Sequence, residues 1–384
     1  MDGSDVGATA ARHRRERVRA MLEAHWVPEG YAAPNEMVYP WQWLWDSCFH
    51  AIIWADLGAG ERAVAELESA LSTQADDGFV PHMNYVRQPD FHAEFWGRRG
   101  ASSITQPPMY GHALAELRRR GVTVPAELED RARRGIEFLL RHRRRDPRGL
   151  IVLAHPWESG CDDSPRWDDL CPGEGFDLAR WYERKGEFVA TIERTSDGSP
   201  VANRAFTVAS AGFNALVAFN ARELGLDAGD VSDALDAQWD DDLDTWIDAG
   251  DTARGSGRAR TVDGLLATLV SPRAEHVAHA LHACVDAAAY GGDCGPAGVH
   301  RAEPTFSAAT YWRGPAWPQL SYLLWVAACR AEMPDVARTI AASTVRGADR
   351  SGLAEYWDPD TGAGLGAIPQ SWTGLVVLLA GAGE

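Results

Sequence analysis

The chain has 384 residues, 45% of them hydrophobic and 24% charged, enough apolar content for a sizeable packed core. With 37 basic and 55 acidic side chains the net charge is −18, which argues against a nucleic-acid backbone or an anionic membrane surface as partner. Six cysteines without a CxxC pair suggest neither a zinc knuckle nor a disulfide framework, and no apolar run reaches the roughly 18 residues of a membrane span. The first residues, with arginines at 12, 14, 15 and 17, carry no apolar signal core, so a reducing, cytoplasmic setting is expected.

In chain order, apolar spacing predicts a helix over 9–26 with arginines on its other face. The run Tyr39-Pro40-Trp41-Gln42-Trp43-Leu44-Trp45-Asp46-Ser47 follows, and Cys48–Trp54 reads as helix. Further helices are expected over Glu61–Leu71, Met109–Arg120 and Ala126–Arg143. The last runs into Trp157-Glu158-Ser159-Gly160-Cys161-Asp162-Asp163-Ser164-Pro165-Arg166-Trp167, a loop by its Ser-Gly and Ser-Pro pairs. Residues 170–205 show little periodicity and read as an insertion or lid. Helices return over Thr207–Leu224, Ala228–Ala249, Thr261–Leu269, Ala274–Ala289, Leu320–Met333, Pro334–Arg346 and Thr373–Leu379. Strand signals are few and short. Helix pairs separated by polar-aromatic loops must bury their apolar faces on one another, and the pattern fits one closed α/α toroid over 1–384 with its loops gathered above the axis.

The acidic loop sets Glu158, Asp162, Asp163 and an arginine between two tryptophans. Carboxyl groups among apolar rings can stay protonated near neutral pH, although an acidic surface loop anchored by its tryptophans would look the same. Trp41, Trp43 and Trp45 alternate with Gln42 and Asp46, and aromatic faces with a few hydrogen-bonding groups suit a sugar. An edge strand with buried tryptophans is the alternative. Tyr311-Trp312-Arg313-Gly314-Pro315-Ala316-Trp317 has the same character, which makes a core-only reading harder. Glu355 is the other candidate carboxylate, because hydrolysis of a glycosidic bond needs two carboxyls across the bond.

Three signals point elsewhere. His276, His279 and His282 have the spacing of a metal-binding helix face but no acidic partner motif, and read as exposed helix histidines. Asp240-Asp241-Asp242-Leu243-Asp244 matches the acidic pattern of metal–diphosphate isoprenoid enzymes, against the plainer reading of a solvated acidic helix face. Gly362-Ala363-Gly364-Leu365-Gly366 neither follows a strand nor opens a helix, which argues against a nucleotide loop.

Taken in order, five loops resemble those of the mannosylglycerate/glucosylglycerate hydrolase group of glycoside hydrolase family 63. They are Gln42-Trp43-Leu44-Trp45-Asp46-Ser47, His155-Pro156-Trp157-Glu158-Ser159-Gly160-Cys161-Asp162-Asp163-Ser164-Pro165, Tyr311 to Trp317, Glu355-Tyr356-Trp357-Asp358-Pro359 and Gln370-Ser371-Trp372-Thr373. The resemblance covers about residues 39–375 and implies an all-α (α/α)6 barrel. It also implies inverting hydrolysis of an α-glucosidic or α-mannosidic bond in a small soluble glycoside, with no metal or organic cofactor. By that resemblance Asp162 would be the general acid and Glu355 the general base acting through water. Tyr39, Trp43, Trp45 and Asp46 would hold the non-reducing sugar. Trp312, Trp317 and Gln370 would complete the pocket wall, and Gln106 would lie toward the leaving group.

Family members grip the glycerate carboxylate with an arginine and a tyrosine after the acid loop. Here Arg194 or Arg204 is the candidate arginine, and residues 195–213 contain no tyrosine. The alternatives are a neutral disaccharide or secondary-metabolite glycoside as substrate, a sugar-binding relative without activity, and a magnesium-dependent enzyme using Asp240, Asp241 and Asp244. The oligomeric state is not legible.

Overall fold

The structure, a computed structural model, describes residues 3–380; positions 1–2 and 381–384 of the expected 1–384 domain lie outside the described residues. Its helices are α1 (Gly3–Ala24), α2 (Leu44–Asp56), α3 (Gly60–Ala70), α4 (Ala93–Trp96), α5 (Tyr110–Arg119), α6 (Ala126–His142) and α7 (Leu178–Ala190). They continue as α8 (Ala211–Glu223), α9 (Gly229–Asp236), α10 (Ala274–Ala283), α11 (Pro318–Arg330), α12 (Pro334–Ser351) and α13 (Val376–Ala380). Strands form only two-stranded antiparallel ribbons, so helices carry the core.

Composition sorts the helices into inner and outer. In α2 every residue from Leu44 to Ala55 is buried, and in α8 every residue from Ala211 to Ala221. A helix buried on all faces belongs inside. α6 is the opposite case: Leu128, Ala132, Ile136 and Leu139 form one buried stripe, while Asp130, Arg134 and Arg141 stay in water. The inner elements touch in sequence. α2 packs on α5, α5 on α8, α8 on the 3-10 segment Gly264–Leu269, that segment on α11, α11 on the 3-10 turn Ser371–Leu375, and that turn on α2 again. Outside them lie α3 on α2, α6 on α5 and α8, α9 on α8, α10 on Gly264–Leu269, and α12 on α11. α1 rests on Ser371–Leu375 and α13.

The structure departs from the sequence expectations in three places. The helix expected over Ala228–Ala249 ends at Asp236. Asp240 Oδ1 accepts the amides of Asp242 and Leu243 at 3.1 Å each, and Asp244 adopts a φ of 53°, which turns Trp239–Asp240 back on Thr245–Trp246. An aspartate that satisfies nearby amides competes with helix formation. The expected helices Thr261–Leu269 and Ala274–Ala289 shorten to Gly264–Leu269 and Ala274–Ala283. The third departure lies within 170–205, which was read as irregular. It contains α7, capped by Asp177 Oδ1 accepting the Arg180 amide at 2.9 Å, and a ribbon of Ile192–Arg194 with Pro200–Asn203. The buried stripe of α7 is Trp181, Lys185, Phe188 and Val189; a lysine in that stripe hides the periodicity. No helix among the described residues is long and apolar enough to cross a membrane.

Candidate active site

Tyr39, Trp43, Trp45 and Asp46, from the first aromatic loop and the opening turn of α2, line one cavity. Asp162 enters it from the acid loop and Glu355 from the segment before Tyr356–Trp357. Gln106, Trp312 and Gln370 reach the same space from three other loops. Trp317 is the exception and corrects the expectation. It is buried and stacks behind Trp312 at 3.7 Å with the rings 7° from parallel, so only Trp312 faces the cavity. Pro34, Tyr311 and Trp372 also line the space; the last two stand in the aromatic motifs beside residues already singled out.

The edge-strand reading of the first loop fails after two residues. Gln42–Trp43 pairs with Met83–Asn84, and α2 begins at Leu44, so the three alternating tryptophans diverge. Trp41 packs on Tyr85 and Phe91, while Trp43 and Trp45 turn to the cavity. Gln42 points inward, donating to Ser47 Oγ and accepting from Asn84 Nδ2, both at 3.0 Å; Ser47 in turn donates to the buried Glu66 at 2.8 Å. These polar residues hold the loop rather than a ligand.

The acid loop needs a glycine where it passes Trp45. Gly160 has a φ of +74°, and a Cβ there would lie 2.6 Å from the Trp45 ring. Gly160→Ala is therefore expected to displace Trp45 or Asp162. A misplacement of about 1 Å costs on the order of 100-fold in rate, so kcat/KM should fall by that order with the circular dichroism spectrum unchanged.

Charge separates Asp162 from its neighbours. Glu158 is fully buried, bound by Arg143 through two bonds of 2.9 and 2.5 Å, and accepts the amides of Thr105 and Ala154. Asp163 accepts from Lys185 Nζ at 2.8 Å. Arg166 meets Asp248 at 2.6 Å and also Asp263. Asp162 alone of the three acid-loop carboxyls lacks a side-chain hydrogen bond among the described residues, and it opens on the cavity. Burial pushes its pKa up to about 7, opposed by Lys185 and reinforced by Asp163 and Glu355.

Glu355 is held on both oxygens, by Tyr39 Oη donating at 3.0 Å and the Ala367 amide at 2.9 Å. Burial lifts its pKa to about 6 against those two bonds. Backbone bonds between Ala316 and Trp357 tie the Trp312 loop to this segment. Asp46 is buried without a side-chain hydrogen bond among the described residues, and desolvation with the nearby Glu355 charge pushes its pKa well up. Gln106 Oε1 accepts the Trp45 amide at 3.3 Å and Gln370 Oε1 the Ser371 amide at 3.1 Å, which aims each amide group by one end.

The remaining sequence signals resolve elsewhere. His276 stacks on Trp239 at 4.2 Å and His279 lies 3.4 Å from Asp244. Asp240 closes its turn and pairs with Arg258 at 2.5 Å. No group of three or more His, Cys, Asp or Glu stands ready for a metal ion among the described residues. Arg194 donates to the Ile192 carbonyl and Ser103 Oγ, and Arg204 is exposed; neither lines the cavity. Lys185, which holds Asp163 and tempers Asp162, was hidden in the segment read as irregular.

Two carboxyls in an aromatic-walled cavity are what hydrolysis of a glycosidic bond requires, and the comparisons place this chain among the glycoside hydrolases. Residues 39–373 match the model described as the mannosylglycerate hydrolase MGH1-like glycoside hydrolase domain, and the chain belongs to that family. It is 30% identical to a glucosylglycerate hydrolase of Mycolicibacterium hassiacum over 422 positions, covering 90% of this chain and 92% of that one. A mannosylglycerate hydrolase of Thermus thermophilus is 28% identical, with 91% and 96% covered. A crystal structure of a GH63 mannosylglycerate hydrolase from Thermus thermophilus in complex with Tris superposes with a TM-score of 0.79 at 25% identity, covering 95% of this chain and 99% of that one. Family membership and the Asp240 turn together replace the metal–diphosphate alternative.

Proposed function

We propose that this hydrolase cleaves an α-glucosidic or α-mannosidic bond in a small glycoside with inversion at the anomeric carbon. The observation that carries the reading is the pair Asp162 and Glu355 at one cavity, both with pKa values raised by desolvation, the first without a side-chain hydrogen bond among the described residues and the second held on both oxygens. Protonated Asp162 gives its proton to the glycosidic oxygen as the bond to the anomeric carbon breaks. Ionised Glu355 takes a proton from water, whose oxygen attacks that carbon from the opposite face. Asp46, Gln106 and Gln370 bind sugar hydroxyls, while Trp43, Trp45 and Trp312 cover its C–H faces. Trp317 backs Trp312. The closed circuit of packing from α2 round to Ser371–Leu375 supports an (α/α)6 barrel as the frame.

The names of the relatives make glucosylglycerate and mannosylglycerate the first substrates to test. A neutral glycoside is the second reading, favoured by one observation: among the described residues no lysine or arginine lines the cavity. Incubation with a panel of α-glucosyl and α-mannosyl glycosides, glycerates included, should release free sugar from at least one. Release from none would contradict the reading and favour a sugar-binding relative without activity.

The pH dependence follows from the two shifts. Activity should climb through about pH 6 as Glu355 ionises and fall through about pH 7 as Asp162 loses its proton. Because the charges interact, the two limbs of the kcat/KM profile belong to the pair. Stability carries the same signature. A carboxyl whose folded pKa is raised favours the folded state below its unfolded value near 4, and that contribution is lost as pH rises through the folded value. The Tm of the parent protein should therefore fall relative to Asp162→Asn between pH 5 and pH 8.

A further inference from the structure

Eight large apolar side chains are exposed among the described residues, and several stand next in sequence to, or in contact with, residues of the cavity wall, the first aromatic loop and the acid loop. Met37, 89% exposed, and Val38 precede Tyr39; Ile368 stands between Ala367, whose amide holds Glu355, and Gln370. Phe91 packs on Trp41 at 4.8 Å and Phe95 on Trp96 at 4.7 Å, in a small aromatic cluster that also takes in Trp43 and Trp157; Val86 follows Tyr85 of the same cluster. Leu178 and Tyr182, the latter 66% exposed, lie one turn apart on α7. They flank Trp181, whose Nε1–H donates to the Asp162 carbonyl at 3.0 Å. Single exposed apolar residues need no explanation, but several beside one site point to a contact surface.

Mechanism says what meets that surface. The general acid stands on the leaving-group side of the bond, and α7 and Trp157 are the elements beside Asp162. Charge narrows the choice. Among the described residues the cavity wall holds the carboxyls of Asp46, Asp162 and Glu355 and no lysine or arginine. Cations of the neighbouring segments are turned to protein partners: Lys185 to Asp163, Arg313 to Asp168, and Arg194 to Ser103 and the Ile192 carbonyl.

We propose that the aglycone this enzyme accepts is apolar, an alkyl or aryl group that leaves the cavity across Tyr182 and Leu178. This inference rests on the hydrolytic reading of Asp162 and Glu355. The test compares methyl, butyl and octyl α-glucosides and α-mannosides, below their micelle concentrations, with the corresponding glycerate glycosides. A fully covered methylene improves binding roughly fourfold, so a partly covered one should raise kcat/KM about twofold, and the methyl-to-octyl gain should exceed about tenfold, chiefly through KM. In the double variant Leu178→Ser, Tyr182→Ser the octyl-to-methyl ratio should fall toward one. Cleavage of methyl or glycerate glycosides with a flat alkyl series, or a preference for glycerate over octyl, would overturn this inference and leave the hydrolytic reading standing. Cleavage of none would overturn both.

Discussion

Asp162→Asn is expected to lower kcat/KM on alkyl glycosides by about a thousandfold, within the 10²–10⁴ range of general acid–base catalysis. The same variant should keep turnover of the matching glycosyl fluoride within about tenfold of the parent protein, because fluoride departs without a proton from the enzyme. Glu355→Gln should lose both activities, since water must be activated whichever group leaves. Initial rates on the two substrate types separate the roles. Equal losses on both in Asp162→Asn would remove that residue from the leaving-group side. Both variants keep the size of the side chain, and in Glu355→Gln the amide oxygen can accept the Ala367 N–H while the NH2 donates to Tyr39 Oη, whose hydroxyl can turn to accept it. The fold should therefore persist.

Arg166→Met is expected to cause the largest loss of stability. Arg166 is almost fully buried between Asp248 and Asp263. Asp248 also accepts the Ala211 amide at 2.8 Å at the start of α8. Burial lifts the Asp248 pKa to about 6 although Arg166 opposes the rise, so without the arginine two carboxyls would face each other in an apolar interior. Removing one partner of a buried pair costs about 3–5 kcal/mol. Thermal unfolding should show a drop of several degrees in Tm. The drop should be smaller at pH 5, where Asp248 can take up a proton, than at pH 8. Arg166→Lys should recover only part, because one ammonium cannot present the fork that reaches both aspartates. Trp167, the next residue, donates its Nε1–H to the Cys161 carbonyl at 2.7 Å, so a loosened Arg166 should also lower activity through the acid loop.

What could be read from the sequence divides by the range of the interaction. α2 and α8 declare themselves as interior because they are apolar on every face, and α6 as outer because its charges keep to one side. Asp162 and Glu355 stood out because loop motifs of mixed carboxylate and aromatic residues are local. The partners of the acid loop were not legible. Arg143 binds Glu158 from the end of α6, Lys185 binds Asp163 from a helix whose stripe it interrupts, and Arg166 finds its aspartates more than 80 residues away. Only the folded chain shows that these pairings leave Asp162 as the uncompensated carboxyl of its loop. Trp317 was misplaced for a related reason. Two tryptophans five residues apart in one loop can both face a sugar or can stack on each other, and the sequence pattern is the same.

Proton NMR of the first minutes of hydrolysis distinguishes inversion by Asp162 and Glu355 from retention. From an α-linked glucoside or mannoside the β-anomer of the free sugar should appear first and mutarotate afterwards. Early appearance of the α-anomer would mean retention and a covalent intermediate, and would contradict inversion.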